Sequence, residues 1–393
     1  MCIVFLLCLM IFSKTAMASA TKGINLWLNI VFPSLFPFFV ASELLNGTGF
    51  IRAIGVLLEP VMRPLFNVPG CGSFAFAMGI TSGYPVGAKI TAGMRKDKLI
   101  SKIEAERLLA FSNNSGPLFI MGAVAVGMFK SPQLGVFLLI CHIAACITVG
   151  IIFRFYRREK TQYKCKPDSN PIARFRKELI SSCRENGTGF GITLGNAIRN
   201  SIMTVLAIGG FIILFSVVIN LLLETGVIQY ASEVLSIFLI PLGISKDLIT
   251  AVLSGFFEIT TGTNMVSNIA GASIVQQLTA VSIIIGWAGL SVHSQVLSIV
   301  SNTDISINPY LLGKFLQGII AAIYTFVGIK AAGCQILKVE PAFSNISSLY
   351  YQDWYKILFS SLRYLLITLL LLSIVILLSY TRSITLKIKN NKY

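Results

Sequence analysis

Charged side chains are scarce in this chain of 393 residues. Asp, Glu, Lys and Arg together make up 12% of the sequence, and histidine occurs only twice. A soluble domain carries about 25% charged residues. Hydrophobic residues instead reach 55%, and the mean hydropathy is +0.78. The composition therefore excludes an ordinary soluble protein and indicates a multi-pass protein of the cell membrane.

Acidic residues are the rarer of the two charged classes. There are 16 of them against 32 Lys and Arg, which gives a formal net charge of +16. Because the basic residues concentrate in loops and at the tail, we expect them to set membrane topology and to meet anionic lipid headgroups. Nucleic acid is not an expected partner.

Signatures of enzymes and metal sites are also missing from the sequence. It contains no H-E-x-x-H, G-x-S-x-G, G-x-x-x-x-G-K-[ST] or C-x-x-C motif. Its eight cysteines show neither the spacing of a disulfide framework nor that of a zinc site. We therefore expect no catalytic residues, no cofactor and no metal.

Long apolar runs, by contrast, recur along the chain. A spanning helix needs about 20 mostly apolar residues, and the runs that fit are 2–20, 25–46, 118–128 with its flanks, 133–153, 201–223, 275–300, 310–330 and 358–380. We assign residues 1–20 to an N-terminal membrane helix. Cleavage of this segment as a signal peptide is the alternative, because small residues follow its apolar part.

Four shorter apolar pieces are interrupted by Gly, Pro and polar residues: 71–92, 108–117, 231–243 and 248–265. They predict re-entrant hairpins or broken helices. Irregular backbone at membrane depth is tolerated only where protein or a wet cavity surrounds it.

A basic segment, 154–198, separates the two parts of the chain. From Arg154 to Arg184 it holds ten Lys and Arg against three Asp and Glu, so the positive-inside rule predicts a cytoplasmic loop. The basic end of the C-terminal segment 358–393, which contains the last membrane helix, is predicted to be cytoplasmic too. Residues 331–357 would then be external.

The two parts of the chain resemble each other. "PQLGVFLLICHIAACITVGI" at 132–151 parallels "PYLLGKFLQGIIAAIYTFVGI" at 309–329, and the preceding breaks recur at an offset of about 175 residues. Apolar sequences can align by chance, but matched breaks favour a repeat. We predict an all-α fold of two inverted-topology repeats, 24–153 and 199–330, which is typical of transporters with a solute site between the halves.

The first break is "SGYPVGAK" at 82–89. Small residues recur every four positions from Ala75 to Gly87, a stripe that on one helix allows close helix packing. Pro85 removes a backbone donor, and freed backbone groups could bind a solute. Lys89 would lie on a cavity wall or reach the headgroups, and a kinked packing helix is the alternative.

The second break is "SNNSGP" at 112–117. Four consecutive amide and hydroxyl side chains are costly in hydrocarbon unless they are paired. They predict the tip of a hairpin in a cavity, where Asn113 and Asn114 could bind a neutral polar solute. An ordinary turn outside the membrane is the alternative.

The second half offers "EITTGTN" at 258–264 and "SVHSQ" at 291–295. An intramembrane carboxylate such as Glu258 indicates proton or sodium coupling, or binding of solute hydroxyls. A salt bridge with Lys89 is its structural alternative. His293 could relay protons, although a packed, hydrogen-bonded histidine is the more common role.

Several stretches resemble a known family. "VFPSLFPFFVASELL", "LLEPVMRPLFNVPG", "SGYPVGAK" and "EAERLLAFSNNSGPLFIMGAVAVGMF" closely resemble the YlbJ family of sporulation integral membrane proteins. That family belongs to the nucleoside-recognition Gate domain proteins, which are similar to parts of concentrative nucleoside transporters and of FeoB-type iron transporters. The resemblance implies a Gate-type membrane domain and a role in making the spore cortex, from the mother-cell side. It implies no particular substrate.

Together, these features predict a transporter or gated permease for a small polar solute. A non-transporting scaffold for spore-envelope assembly is the main alternative, and a lipid flippase or lipid-intermediate enzyme is a more distant one. The expected partners are membrane lipids and the solute, together with a second copy of the chain or sporulation membrane proteins. The predicted site residues are Gly83, Tyr84, Pro85, Gly87, Lys89, Asn113, Asn114, Ser115, Gly116, Glu258, Thr260, Thr261, Thr263, Asn264, His293 and Gln295.

Overall fold

The computed structural model describes residues 2–47, 50–157 and 190–332, together with Phe175 and Arg363. All of these except Arg363 belong to one unit, Met1–Val339. Most of the predicted cytoplasmic loop 154–198 lies outside the described residues. So do nearly all of the segments 331–357 and 358–393, and the predictions made for them stay predictions.

Every regular element in the described part of the chain is helical. The first part contains α1 (Cys2–Ile11), α2 (Ser13–Leu26), α3 (Phe32–Gly47), α4 (Phe50–Phe66), α5 (Gly72–Ser82), α6 (Val86–Lys96), α7 (Lys102–Ser112), α8 (Leu118–Met128) and α9 (Pro132–Phe153). A π-helical turn, Trp27–Val31, joins α2 to α3, and α8 has π geometry throughout.

The second part contains α10 (Phe190–Glu224), α11 (Val227–Leu239), α12 (Lys246–Phe257), α13 (Ile259–Ser267), α14 (Ile274–Trp287), α15 (Gly289–Val300) and α16 (Asn308–Ala332). A short 3₁₀ turn, Ile240–Leu242, follows α11.

Five segments in the described residues are long and apolar enough to cross a membrane: Ser13–Ala41, Pro132–Phe153, Gly191–Glu224, Ile274–Val300 and Asn308–Ala331. The last four coincide with predicted spans. They confirm the prediction of an all-α, multi-pass membrane protein.

The N-terminal boundary differs from the prediction. A helix end was expected near residue 20, but α1 ends at Ile11 and α2 runs from Ser13 through that position. The polar stretch after residue 18 stays helical because it packs closely on α10. A Cβ on Gly23 would lie 3.0 Å from the Ile213 Cα, and the Ser216 hydroxyl donates a hydrogen bond to the Ser19 carbonyl at 3.0 Å.

The order of elements in the first part recurs in the second. In each, two successive helices (α3 and α4, α10 and α11) precede a hairpin (α5–α6, α12–α13), a broken helix (α7–α8, α14–α15) and a long span (α9, α16). The contacts between the parts are reciprocal, since α6 packs on α15 and α13 packs on α8. Such an exchange of equivalent contacts is what a two-fold relation produces. The inverted orientation of the parts in the membrane stays a prediction.

The buried apolar core follows the same exchange. One cluster combines the first hairpin and α7 with Val292 and Val296 of α15. The other combines the second hairpin and α14 with Ile120 and Val124 of α8. Each hairpin thus packs against its own half and against half of a broken helix from the other.

The predicted span 275–300 is interrupted. Helix α14 ends at Trp287 and α15 begins at Gly289, with φ of 76° at Ala288 and 78° at Gly289. A Cβ on Gly289 would lie 3.2 Å from the backbone of Phe257 and of Ile259. The interruption therefore makes room for the tip of the second hairpin.

Candidate functional site

The four chain breaks meet at one small cavity of about 50 Å³. Gly83 and Tyr84 reach it from the first hairpin, and Gly116 reaches it from the first broken helix. Ser82 adds a hydroxyl from the first hairpin, and the other polar lining residues come from the second part of the chain. The cavity is lined by Leu35, Phe39, Ser82, Gly83, Tyr84, Gly116, Leu118, Phe119, Ile208, Phe211, Ile212, Glu258, Ile259, Thr260, Ser291, Val292 and Gln295.

Backbone contact places the two breaks of the first half side by side. Gly83 has a φ of 77°, a conformation that favours glycine. A Cβ there would also lie 2.8 Å from the Gly116 nitrogen. The Tyr84 hydroxyl lies 2.7 Å from the Ser115 hydroxyl, so a side-chain hydrogen bond reinforces the contact.

Glu258 forms the tip of the second hairpin. It is 2% exposed, and its side chain caps α13 by accepting hydrogen bonds from the Thr260 and Thr261 amides at 2.9 and 2.6 Å. A carboxylate at a helix N-terminus is stabilised by these amides and by the helix dipole. The buried carboxylate therefore has a structural role while it lines the cavity.

The small-residue stripe is not one continuous helical face. Helix α5 ends at Ser82 and α6 begins at Val86, so the helical spacing on which the stripe was based is interrupted at Gly83. The outer glycines nevertheless meet, because a Cβ on Gly79 or Gly87 would lie 1.6 or 2.2 Å from the carbonyl oxygen of Ser112. Both arms of the hairpin thus close on the end of α7.

A second polar group, which we call the Lys314 cluster, lies beside the Asn113–Gly116 break. It consists of Lys314, Gln317, Asn114, His142 and Cys146, all buried. The Lys314 ammonium donates hydrogen bonds to Asn114 Oδ1 at 3.3 Å and to Gln317 Oε1 at 2.8 Å. Gln317 Nε2 donates to Asn114 Oδ1 at 2.9 Å and lies 3.4 Å from His142 Nε2.

Tyr310 extends this polar network toward α15. Its hydroxyl accepts a hydrogen bond from Asn113 Nδ2 at 3.1 Å and lies 3.1 Å from His293 Nδ1. The outer nitrogen of His293, Nε2, has no hydrogen-bond partner among the described residues. His293 is therefore a packed, hydrogen-bonded residue, and proton relay through it stays a prediction.

Other predicted site residues lie away from the cavity lining. Lys89 is exposed, and no ion pair with the buried Glu258 joins the two hairpins in the described residues. The Thr263 hydroxyl donates to the Ile259 carbonyl of its own helix, and Asn264 accepts from Asn268. Pro85 precedes α6 as its cap residue, and Thr261 contributes its amide to Glu258.

Sequence reasoning missed Tyr310, Lys314, Gln317 and Ser291. The first three follow the spacing i, i+4 and i+7 in an apolar run, which puts them on one face of α16. That spacing was readable in the sequence, and it marks a buried polar stripe. The residues next to His142 in the sequence are apolar. Its polar contact, Gln317, comes from a distant segment, so no local pattern pointed to it.

No metal site is evident in the described ranges. No group of three or more His, Cys, Asp and Glu side chains there could hold an ion. What the cavity offers is hydroxyl, amide, carboxylate and backbone groups, which suit hydrogen bonding to a polar molecule.

Comparisons with known proteins place the chain in a family. The family model Gate, described as nucleoside recognition, matches residues 28–130 and 205–305, which fall in the two parts of the fold. The sporulation integral membrane protein YlbJ of Bacillus subtilis (strain 168) is 43% identical over 321 residues, covering 80% of this chain and 78% of the relative.

A solved structure of CNTnw in an inward-facing substrate-bound state is also similar, with 11% identity and a TM-score of 0.47. The match covers 84% of this chain and 87% of that chain. The classification rests on two findings: the Gate model matches two stretches of the chain, and the identity to YlbJ extends over most of its length. The chain is a member of the Gate family, in the group of the sporulation integral membrane protein YlbJ.

Proposed function

We propose that this protein is a transporter or gated permease that moves a small polar solute through the cavity between its two halves. The observation that carries the proposal is the convergence of all four chain breaks on that cavity. Broken helices expose backbone donors and acceptors at membrane depth, where a bound solute can satisfy them.

The wall of the cavity combines a few polar side chains with a mostly apolar lining. Tyr84, Glu258, Ser291 and Gln295 contribute hydrogen-bonding side chains, and leucine, isoleucine and phenylalanine side chains form much of the remaining wall. Ligand sites commonly combine an apolar lining with a few placed polar groups. A volume of about 50 Å³ holds about three water molecules, so a larger solute requires the hairpins to move apart.

The arrangement favours a transporter over a scaffold. Burying the Glu258 carboxylate at a cavity that also holds the half-buried Tyr84 phenol and Gln295 amide costs free energy that packing alone would not demand. A scaffold needs Glu258 only as a helix cap, and glutamine keeps one of its two oxygen acceptors. A permease that uses the charge or the proton of Glu258 does not tolerate that change.

The family relationship suggests where transport is used. The related YlbJ protein of Bacillus subtilis is named a sporulation integral membrane protein. We propose that the activity serves spore cortex formation and that it acts in the membrane derived from the mother cell. The solute would be one that envelope assembly consumes.

Complementation of a deletion strain tests the proposal. Wild type, Glu258→Gln and Asn114→Ala are compared for heat-resistant spore yield and cortex thickness, and the membrane abundance of each variant is measured in the same cells. Glu233→Gln is the matched control, because Glu233 is an exposed carboxylate that pairs with Lys246 on the outside of the fold.

We expect Glu258→Gln to lose more cortex than its membrane abundance accounts for, since it keeps one of the two cap hydrogen bonds but not the charge. The Glu233→Gln control should be normal in both respects. Normal cortex with both Glu258→Gln and Asn114→Ala would contradict a transport site at the breaks and would favour the scaffold.

A further inference from the structure

Lys314 is completely buried, with 0% of its surface exposed, and no carboxylate in the described part of the chain pairs with it. The ion pairs among the described residues join Arg63 to Glu104, Arg95 to Asp304 and Lys246 to Glu233. A charged side chain without a counter-charge is costly inside a membrane protein and is there a functional hypothesis by default.

The neighbours of Lys314 are oriented as ligands of a cation. The oxygens of two amide side chains, Asn114 and Gln317, point at the ammonium. Their nitrogens point elsewhere: Asn114 Nδ2 donates to the Phe111 carbonyl and to Cys146 Sγ, and Gln317 Nε2 donates to Asn114. An ammonium has three donors and no acceptor, and the two amide oxygens accept two of these donors.

The cluster lies at the end of a half-helix. Helix α7 ends at Ser112, and the chain unwinds through Asn113 to Gly116 before α8 begins. The C-terminal end of a helix carries partial negative charge. In transporters with broken helices, half-helix C-termini and unwound carbonyls are where a coupling cation is held.

The other titratable groups near Lys314 come from three helices. His142 and Cys146 belong to α9, Tyr310 lies one turn earlier on α16, and His293 reaches the same network from α15. None of these four residues is a carboxylate. Within this network, the positive charge of the Lys314 ammonium is therefore balanced only by the dipoles of neutral groups. His142 Nδ1 has no hydrogen-bond partner among the residues that the structure describes.

We propose that the Lys314 ammonium is a tethered cation that fills a monovalent-cation site at the end of α7. The protein would then hold this break together without bound sodium or potassium. Any coupling ion of the proposed transporter would have to bind elsewhere or be a proton. The site itself does not depend on the proposed function, because it can be tested by cation binding alone.

The test removes the tethered cation and offers a free one. The melting temperature of the full-length protein in detergent is measured in sodium, potassium, lithium and choline chloride, at constant chloride. The variants are Lys314→Ala, which leaves space for an ion, and Lys314→Met, which fills the space without charge. Lys330→Ala is the control, because Lys330 is an exposed lysine on the same helix.

For wild type, Lys314→Met and Lys330→Ala, we expect the melting temperature of each protein to be the same in all four salts. Lys314→Ala should gain about 3 °C or more in one of the small cations relative to choline, at about 300 mM salt. A folded Lys314→Ala that ignores all three cations would overturn the proposal. So would a wild-type protein that responds as strongly as the variant.

If Lys314→Ala does not fold, substitutions at Gln317 test the proposal instead. Gln317→Glu and Gln317→Met are compared in the otherwise native chain. If the ammonium is charged, the melting temperature of Gln317→Glu should be several degrees above that of Gln317→Met, because the glutamate supplies the missing counter-charge. A glutamate variant that melts below the methionine variant would mean that Lys314 is not a fixed cation. That result would overturn the proposal, and it would leave the cavity hypothesis untouched.

Discussion

The Tyr84 hydroxyl lies 2.7 Å from the Ser115 hydroxyl, and this hydrogen bond ties the first hairpin to the first broken helix at the cavity. Since Tyr84 also lines the cavity, its hydroxyl belongs both to the architecture and to the proposed solute site.

Tyr84→Phe should therefore impair function more than stability. The substitution removes one hydrogen bond, which costs about 1 kcal/mol, and leaves the ring in place. Tyr324→Phe is the matched control, because the Tyr324 hydroxyl has a similar 2.8 Å contact with Thr148 away from the cavity. We expect comparable melting temperatures for both variants and a loss of spore cortex only for Tyr84→Phe. Equal phenotypes would contradict a special role for Tyr84.

Close backbone contact at the first hairpin predicts a large effect of one methyl group. A Cβ on Gly79 would lie 1.6 Å from the Ser112 carbonyl oxygen, and backbone cannot move aside cheaply. Gly79→Ala should destabilise the protein by about 3 kcal/mol or more, measured as a lower melting temperature in detergent.

Gly93→Ala provides the control for that experiment. Gly93 belongs to α6 of the same hairpin, and a Cβ added there would meet nothing within 4 Å. Alanine is the better helix former, so this change should be neutral or stabilising by about 0.5–1 kcal/mol. A Gly79→Ala variant as stable as Gly93→Ala would mean that the α5–α7 contact is looser than described.

The loop between α15 and α16 is joined to the first hairpin by an ion pair that should depend on pH. Arg95 donates two hydrogen bonds of 2.8 Å to Asp304. These bonds hold the pKa of the Asp304 carboxyl below its ordinary value of 3.8. A lowered carboxyl pKa stabilises the folded state above the ordinary value, and that stabilisation is lost as the pH falls through the folded-state pKa.

Wild type should therefore melt slightly above Asp304→Asn at pH 7, and the difference should vanish when the pH falls well below 3.8. The effect should be small and should shrink in high salt, because the carboxylate side chain is 51% exposed. A difference that persists in acid would show that the contact does not depend on the charge of Asp304.

Much of the fold could be predicted from the sequence, because breaks in membrane helices are marked by recognisable residue types. Glycine, proline and clustered amides marked the interruptions near Gly83, Asn114 and Glu258, and the structure has helix ends at all three. The interruption at Ala288 falls in "GWAGL", which has two glycines but neither a proline nor a cluster of amides. Its cause is the approach of the second hairpin, a tertiary contact that a local pattern does not show.

The candidate site was harder to predict than the fold. Glu258 and Gln295 line the cavity, but Lys89 was drawn into the prediction only by its nearness to Pro85 in the sequence. Lys314 was overlooked because a single lysine in an apolar run resembles a residue that reaches the headgroups. Its burial depends on Asn114 and Gln317, which come together only in the folded chain.

The most direct test of the central claim is the accessibility of the cavity from the two sides of the membrane. A cysteine is introduced as Ser291→Cys in a chain whose native cysteines are replaced, and it is labelled with a membrane-impermeant thiol reagent in intact cells and in inverted vesicles. Ser282→Cys is the control, because Ser282 is a buried serine that pairs with Thr325 away from the cavity.

A transporter predicts labelling of Ser291→Cys from both sides and of Ser282→Cys from neither. Labelling of Ser291→Cys from neither side, or from one side alone, would contradict a transport path through the four breaks.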